Sequence, residues 1–223
     1  MKYSLIIPTK NEEKNLKYVL PDIPEIIEEI LIIDGGSKDN TINEAKKLNK
    51  NCRIYIEKEK GKGIAIRKSI KLASGEYLLF IDADGSMAPN ELKSICSKLE
   101  EGYDFVKGSR MLKGGGTEDM TLLRKIGNLM FVFLVRLLFK VKITDLCYGL
   151  FGIRKELLQQ FNLKSNGFEI ETEITLKAIK RHVKMVEIPS FERKRVYGKT
   201  NLNTVVDGWK ILITILKEFF GRE

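Results

Sequence analysis

The chain opens on Tyr3-Ser4-Leu5-Ile6-Ile7-Pro8, an apolar run that gives way at once to polar residues, and this pattern recurs along the first half. Apolar runs at 3–8, 29–34, 53–56, 76–82 and 105–107 read as β-strands. Between them, 12–20, 40–48, 63–73 and 90–99 carry apolar residues at helical spacing and read as amphipathic helices. Alternation at this pitch predicts βαβ units, an α/β fold and a largely parallel sheet. Ligands in such sheets bind beyond the carboxyl ends of the strands. Three polar segments occupy those positions: Thr9-Lys10-Asn11-Glu12, Asp34-Gly35-Gly36-Ser37 and Asp82-Ala83-Asp84-Gly85-Ser86.

After Gly108 the character changes. Gly114-Gly115-Gly116 predicts a mobile loop, 122–139 a basic and apolar helix, and 205–220 a final amphipathic helix. Between those helices lies a region of mixed strand and helix that includes a basic stretch over 177–199. Neither a proline-rich linker nor an internal repeat divides the 223 residues, so a single domain is expected over 1–223. Glu169 and Glu173 share one face of a predicted helix, with Glu171 pointing elsewhere. They read as an exposed acidic face, against a competing role on the acceptor side. His182, the sole histidine, reads as a solvated side chain.

Composition narrows the class. A chain that is 43% hydrophobic and 31% charged is neither disordered nor fibrous. Thirty-nine basic against 30 acidic residues leave a net charge of +9, which points to anionic partners. Cys52, Cys96 and Cys147 are too few and too scattered for a disulfide scaffold or a zinc pair, and read as reduced thiols of a cytosolic protein. The first apolar run is too short for a signal peptide, and none reaches the roughly 18–20 residues of a membrane span. Arg136 interrupts 129–139, and Asp207, Lys210, Lys217 and Glu218 interrupt 205–220, so both segments are expected to lie on a bilayer or pack in a core. The basic stretch lacks the interleaved aromatics of a single-strand nucleic-acid platform; an anionic membrane surface suits it better.

Candidate chemistry centres on Asp82-Ala83-Asp84, two carboxylates at the end of an apolar strand. Such a pair approaches one divalent cation, whose remaining positions go to phosphate oxygens and water. The competing reading is a helix cap before Pro89-Asn90. An EF-hand is excluded, because Met87 and Lys93 stand where it needs Gly and Glu. The D-x-D-G-S run also resembles the nucleophile motif of haloacid-dehalogenase-like phosphatases, without their downstream acidic pair. Asp34 can accept hydrogen bonds from a nucleobase or ribose, while Ser37 or Asp39 serves as a helix cap. Lys60-Gly61-Lys62-Gly63 offers amides and ammonium groups to phosphates.

Read in order, Ile6-Ile7-Pro8-Thr9-Lys10-Asn11-Glu12-Glu13-Lys14-Asn15, Asp34-Gly35-Gly36-Ser37-Lys38-Asp39-Asn40-Thr41, Gly61-Lys62-Gly63 and Asp82-Ala83-Asp84 resemble the family 2 glycosyltransferases. Gly108-Ser109-Arg110, Thr144-Asp145 with Gly149, and Arg195-Val196-Tyr197-Gly198 extend the likeness along nearly the whole chain. Within the family it is most similar to the dolichol- or polyprenyl-phosphate sugar transferases. The resemblance implies a GT-A fold, with a mixed, mainly parallel sheet flanked by helices. Residues 1–107 would bind the nucleotide, and 108–223 would face the acceptor and membrane. It further implies inverting transfer of mannose, glucose or an N-acetylhexosamine from a GDP- or UDP-linked donor to a polyprenyl or dolichyl phosphate, with a sugar hydroxyl as the alternative acceptor. Mg²⁺ or Mn²⁺ would be the cofactor.

The same resemblance distributes roles. Pro8, Lys10, Glu12 and Asp34 would surround the nucleobase and ribose, with Thr9, Asn11, Gly35, Ser37 and Lys62 completing the donor site. Asp82, Ala83 and Asp84 would hold the sugar-diphosphate and metal, with Asp84 the direct ligand, Asp82 nearer the sugar and Ser86 a further ligand. Arg110 and Arg195 would meet phosphates, and Asp145 would orient the sugar or these cations. A cytoplasmic protein peripheral to the inner face of the cell membrane is expected, with no nucleic-acid partner. The other readings are a phosphatase and a non-enzymatic, membrane-binding basic protein.

Overall fold

All six side chains of the run Glu29–Asp34 are buried, as a strand covered on both faces requires. The computed structural model describes residues 1–221. Its first half runs β1 (Tyr3–Thr9), β2 (Glu29–Asp34), α1 (Thr41–Leu48), β3 (Arg53–Ile56), α2 (Lys62–Leu72), β4 (Tyr77–Phe80), α3 (Leu92–Glu100) and β5 (Phe105–Ser109). The second continues with β6 (Gly116–Thr117), α4 (Leu122–Phe139), β7 (Phe151–Arg154), α5 (Lys155–Gln160), α6 (Ile170–Lys180), β8 (Met185–Pro189), β9 (Phe191–Glu192) and α7 (Thr204–Phe220).

Seven strands form one sheet in the order β3-β2-β1-β4-β7-β5-β8, and β6 pairs with β9 apart from it. The first four are mutually parallel, β7 is antiparallel to both neighbours, and β8 is parallel to β5. This is the mixed, mainly parallel sheet flanked by helices that was expected. From β1 the chain winds outward to β2 and β3, then returns to place β4 on the opposite side of β1. That reversal opens a crevice at the carboxyl ends of β1 and β4. Registers Thr9↔Asp34 and Ile6↔Phe80 bring the ends of β1, β2 and β4 to the same edge.

Strand alternation divides the core. Leu5, Ile7, Ile32 and Leu79 pack with Leu92, Ile95 and Leu99 of α3 on one face. Ile6, Leu31, Ile33 and Phe80 pack with Ile66 and Ile70 of α2 and Ile170 and Ile174 of α6 on the other. A third cluster joins α4, α6 and α7 through Phe131, Val135, Leu176, Ile211 and Ile215.

Two expectations are corrected and one is refined. The helix expected over 12–20 is instead two single 3₁₀ turns, Leu16–Tyr18 and Leu20–Asp22. Pro21 has no N–H to continue an α-ladder and disfavours the helical conformation at the residue before it. The chain is also turned sharply ahead of this segment, by Asn11 at φ 56°. The region of mixed strand and helix after α4 supplies the antiparallel strand β7, whose apolar run Gly152 interrupts; a Cβ there would lie 2.5 Å from Ile95 Cγ2, so α3 packs directly on its backbone. Last, the acidic run of α6 is no exposed face: Glu169, Glu171 and Glu173 are all buried. Glu173 accepts the amides of Lys164 and Ser165 at 2.9 and 2.8 Å, and Glu169 those of Asn166 and Gly167 at 3.2 and 3.0 Å. Loop amides with no other partner draw these carboxylates inward.

Candidate active site

At the end of β1 the left-handed Asn11 donates its amide to Ser37 Oγ at 2.8 Å and accepts Lys38 N at 2.8 Å on its side-chain oxygen. Asp34, fully buried at the end of β2, accepts the amides of Gly36 and Ser37 at 3.0 and 2.8 Å. Gly35 donates to Thr9 O at 2.8 Å. These bonds lock two strand ends together. Beside them, Pro8, Thr9, Lys10, Glu12 and Gly35 line a cavity of about 780 Å³, whereas Asn11, Asp34 and Ser37 form the turns behind its lining.

Asp82, Ala83, Asp84 and Ser86 line the same cavity after β4. Asp84 Oδ1 accepts the Ser86 amide at 3.0 Å, and Oδ2 lies 3.2 Å from an Arg195 nitrogen. Arg195 Nη1 also reaches both Glu12 oxygens, at 2.9 and 3.0 Å. One guanidinium thus ties the ends of β1 and β4. Burial holds the Glu12 carboxyl above its usual range, although Asn15 and Arg195 pull it back. Lys62, at the first turn of α2, pairs with Asp82 and with Glu171 Oε1, the latter at 2.6 Å. Burial alone would depress the ammonium, but the two carboxylates outweigh it and raise its pKa.

A second charged cluster sits deeper. Arg110, after β5, grips Asp145 through Nε and Nη2 at 2.7 and 3.0 Å and reaches Glu192 through Nη1 at 3.1 Å. Its guanidinium carbon lies 4.5 Å from the centre of the Tyr148 ring. Glu187 holds the Asp145 loop by accepting Thr144 N at 2.7 Å and Asp145 N at 3.0 Å. Burial would raise the Asp145 carboxyl; Arg110 and then Lys107 overcome that and lower it. Arg110 lines the cavity, while Asp145 lies behind it with no exposed surface.

Asp82 and Asp84 suit a hard divalent ion. Their oxygens sit in the cavity with side chains 30% and 16% exposed. No group of three or more acidic, histidine or cysteine ligands is assembled among the described residues. Two carboxylates match an ion that fills its other positions with phosphate and water, Mg²⁺ being the usual example.

The structure also brings in residues that motif reading had not assigned. Glu171, Glu192 and Asn128 line the cavity with the residues above. Two local signals mark them: Glu192 is a rare acid in the basic stretch, and Asn128 a polar residue on the most apolar helix. Asn128 Oδ1 accepts the amides of Leu146 and Cys147 at 3.2 and 3.3 Å, and its buried Nδ2 has no partner among the described residues.

The chain is 32% identical over 211 residues to a dolichol-phosphate mannosyltransferase of Pyrococcus furiosus, covering 91% of this chain and 59% of that protein's length. It is 28% identical over 217 residues to a dolichyl-phosphate hexose transferase of Haloferax volcanii, covering 96% and 92% of the two. In fold it is similar to glucosyl-3-phosphoglycerate synthase from Mycobacterium tuberculosis, crystallised with Mn²⁺, UDP and glucosyl-3-phosphoglycerate. That match has a TM-score of 0.79 at 19% identity and covers 100% of this chain and 81% of the other. Residues 4–161 match the sequence profile described as Glycosyl transferase family 2. The chain belongs to that family and is a glycosyltransferase with the GT-A fold, which displaces the phosphatase and non-enzymatic readings.

Proposed function

We propose that the protein transfers a hexose or N-acetylhexosamine from a GDP- or UDP-linked donor to a polyprenyl or dolichyl phosphate, with inversion at the anomeric carbon. The carrying observation is the continuity of the cavity. It runs from the donor residues Pro8, Lys10, Glu12, Asp82 and Asp84 to an apolar wall of Leu123, Met130 and Phe131 on α4 and Trp209 and Leu212 on α7. A soluble sugar acceptor needs no such wall; an isoprenoid chain does. Arg124 lines the same cavity and is a cation suited to a phosphate head group.

The chemistry follows from that acceptor. A hydroxyl nucleophile requires a general base, whereas a phosphate monoester, with a second pKa of about 6, is anionic at neutral pH. The residues need only hold it in line with the anomeric carbon and screen its charge from the diphosphate. Asp84 and Asp82, with Ser86 beside them, would hold Mg²⁺ or Mn²⁺. That ion, when bound, neutralises charge developing on the leaving nucleoside diphosphate. Arg195 stands next to Asp84 and would supply positive charge to the same phosphates, while Arg110 and Asp145 stiffen the wall behind them.

The deciding assay supplies GDP-mannose, UDP-glucose and UDP-N-acetylglucosamine with matched polyprenyl phosphate and polyprenol. Transfer to the phosphate alone is expected. Efficient transfer to the alcohol, or to a free sugar, moves the acceptor to an ordinary hydroxyl.

The same helices carry a location. Leu122, Leu129, Phe133 and Leu137 on α4, and Val206, Trp209, Ile213 and Phe220 on α7, are exposed. Lys125, Lys140, Lys210 and Lys217 are exposed beside them. No helix among the described residues is long and apolar enough to cross a membrane. Two apolar faces edged by lysines provide the two signals that stable interfacial attachment requires. Sedimentation with phosphatidylserine-containing vesicles is expected, weakening as salt rises; equal recovery in the supernatant with and without vesicles would count against it.

A further inference from the structure

Residues 144–148, between α4 and β7, form neither helix nor strand, and side chains of three other elements bind their backbone. Glu187 on β8 accepts the Thr144 and Asp145 amides at 2.7 and 3.0 Å, and the Thr144 hydroxyl at 2.9 Å. Asn128 on α4 accepts the next two, from Leu146 and Cys147. At the far end Lys107 on β5 donates its ammonium to the Tyr148 carbonyl at 2.7 Å. Lys107 and Glu187 stand opposite each other in the β5–β8 register, and each turns to one end of the loop. The carboxylate takes the entering amides and the ammonium the leaving carbonyl.

Lys107 is 1% exposed, between buried apolar neighbours on β5, Phe105 and Val106. Burial lowers its pKa from the ordinary lysine range, against the pull of Asp145, Glu171 and Glu187. A methionine would fill that space without the desolvation cost, so packing alone does not explain the charge. The loop supplies a use for it. Cys147, Tyr148 and Gly149 line the cavity, and Asp145 and the Tyr148 ring hold Arg110, which lines it too. Lys107 and Glu187 themselves lie behind that lining.

We infer that Lys107 and Glu187 are positioning residues for sugar transfer, acting through the 144–148 loop to set the wall of Cys147, Tyr148 and Gly149 against the reacting groups. The inference needs only a glycosyltransferase, neither the proposed acceptor nor a particular sugar. Nucleotide binding should escape it, because the ends of β1 and β2 are fixed by their own bonds among Thr9, Asn11, Asp34 and Ser37.

Lys107→Met and Glu187→Gln, singly and together, test it with GDP-mannose, UDP-glucose and UDP-N-acetylglucosamine, and with polyprenyl phosphate or water as acceptor. Each single variant should lower kcat roughly tenfold to a hundredfold, the scale of a small misplacement at a reacting centre. Calorimetric binding of the matching nucleoside diphosphate with Mn²⁺ should stay unchanged. Because both residues act on one loop, the double variant should be no slower than the slower single one. Amide exchange should rise in 144–149 and not in β1 or β4. Glu187→Gln, which keeps one oxygen for the loop amides, carries the test alone should Lys107→Met not fold. Unchanged kcat, losses that multiply in the double variant, or nucleotide binding that falls in step with kcat would overturn the assignment. Wild type that hydrolyses the donor but ignores polyprenyl phosphate sinks the acceptor reading above and leaves this test intact. Where wild type turns over neither, exchange decides, and unchanged protection of 144–149 in the variants overturns the inference.

Discussion

Asp84→Asn should lower kcat by about a hundred- to a thousandfold while the protein stays folded, the scale expected when one group that stabilises developing charge is removed. The substitution is nearly isosteric. Its remaining oxygen can still accept the Ser86 amide, which Asp84 accepts at 3.0 Å. Arg195 loses one carboxylate but keeps Glu12 at 2.9 Å, so its charge is not stranded. What disappears is the negative charge that would hold a divalent ion against the diphosphate. Thermal unfolding should therefore barely move, whereas Mn²⁺ should no longer strengthen nucleoside-diphosphate binding. Full turnover by the variant, or wild-type turnover undiminished in excess EDTA, would refute the metal assignment.

Arg110→Ala should act first on stability. Arg110 and Asp145 are buried, and Glu192 beside them is nearly so, with side-chain exposures of 7%, 0% and 13%. Deleting the guanidinium leaves two carboxylates in a poorly solvated site, at a cost of about 3–5 kcal/mol. Its pH dependence has a definite sign. In wild type the Asp145 carboxyl is lowered from 3.8, so its stabilising contribution is present above that value and is lost only as pH falls through the folded value. Without Arg110, burial dominates and the carboxyl rises. The variant then regains stability as pH drops through that raised value, and its deficit narrows between pH 7 and about 4. Arg110→Lys keeps the charge but lacks the fork that reaches Asp145 twice, and should fall between the two. Urea midpoints at several pH values provide the measurement. An unchanged midpoint at pH 7, or a deficit that widens on acidification, would show that the cluster does not support the fold.

That result bears on how the active site is built. Arg110 carries a motif position at which phosphate contact was the expected role, yet its donors are directed to Asp145 and Glu192. Arg124 and Asn128 sit on the cavity wall with fewer commitments: Arg124 reaches Thr204 Oγ1 at 3.3 Å and the Leu202 carbonyl at 3.4 Å. With no carboxylate partner among the described residues, Arg124 keeps more of its field for an incoming phosphate.

The sequence by itself determined the alternation of strands and helices, the crevice edge and the metal-suited pair Asp82 and Asp84, because all three are local. Periodicity of two or 3.6 residues is set within a single element, and a D-x-D pair places its carboxylates together by covalent geometry. Where local chemistry conflicted with periodicity, as at Asn11 and Pro21, the helix reading failed. Only the tertiary structure decided the partners. Arg195 meets Glu12 across 183 positions and Lys62 meets Glu171 across 109, separations over which no spacing in the chain encodes contact. The same holds at the start of α6, where Glu169 and Glu173 read as one exposed face until the 164–167 loop closes over them. Burial of a charge depends on which donors arrive from elsewhere, and that is a property of the packed chain.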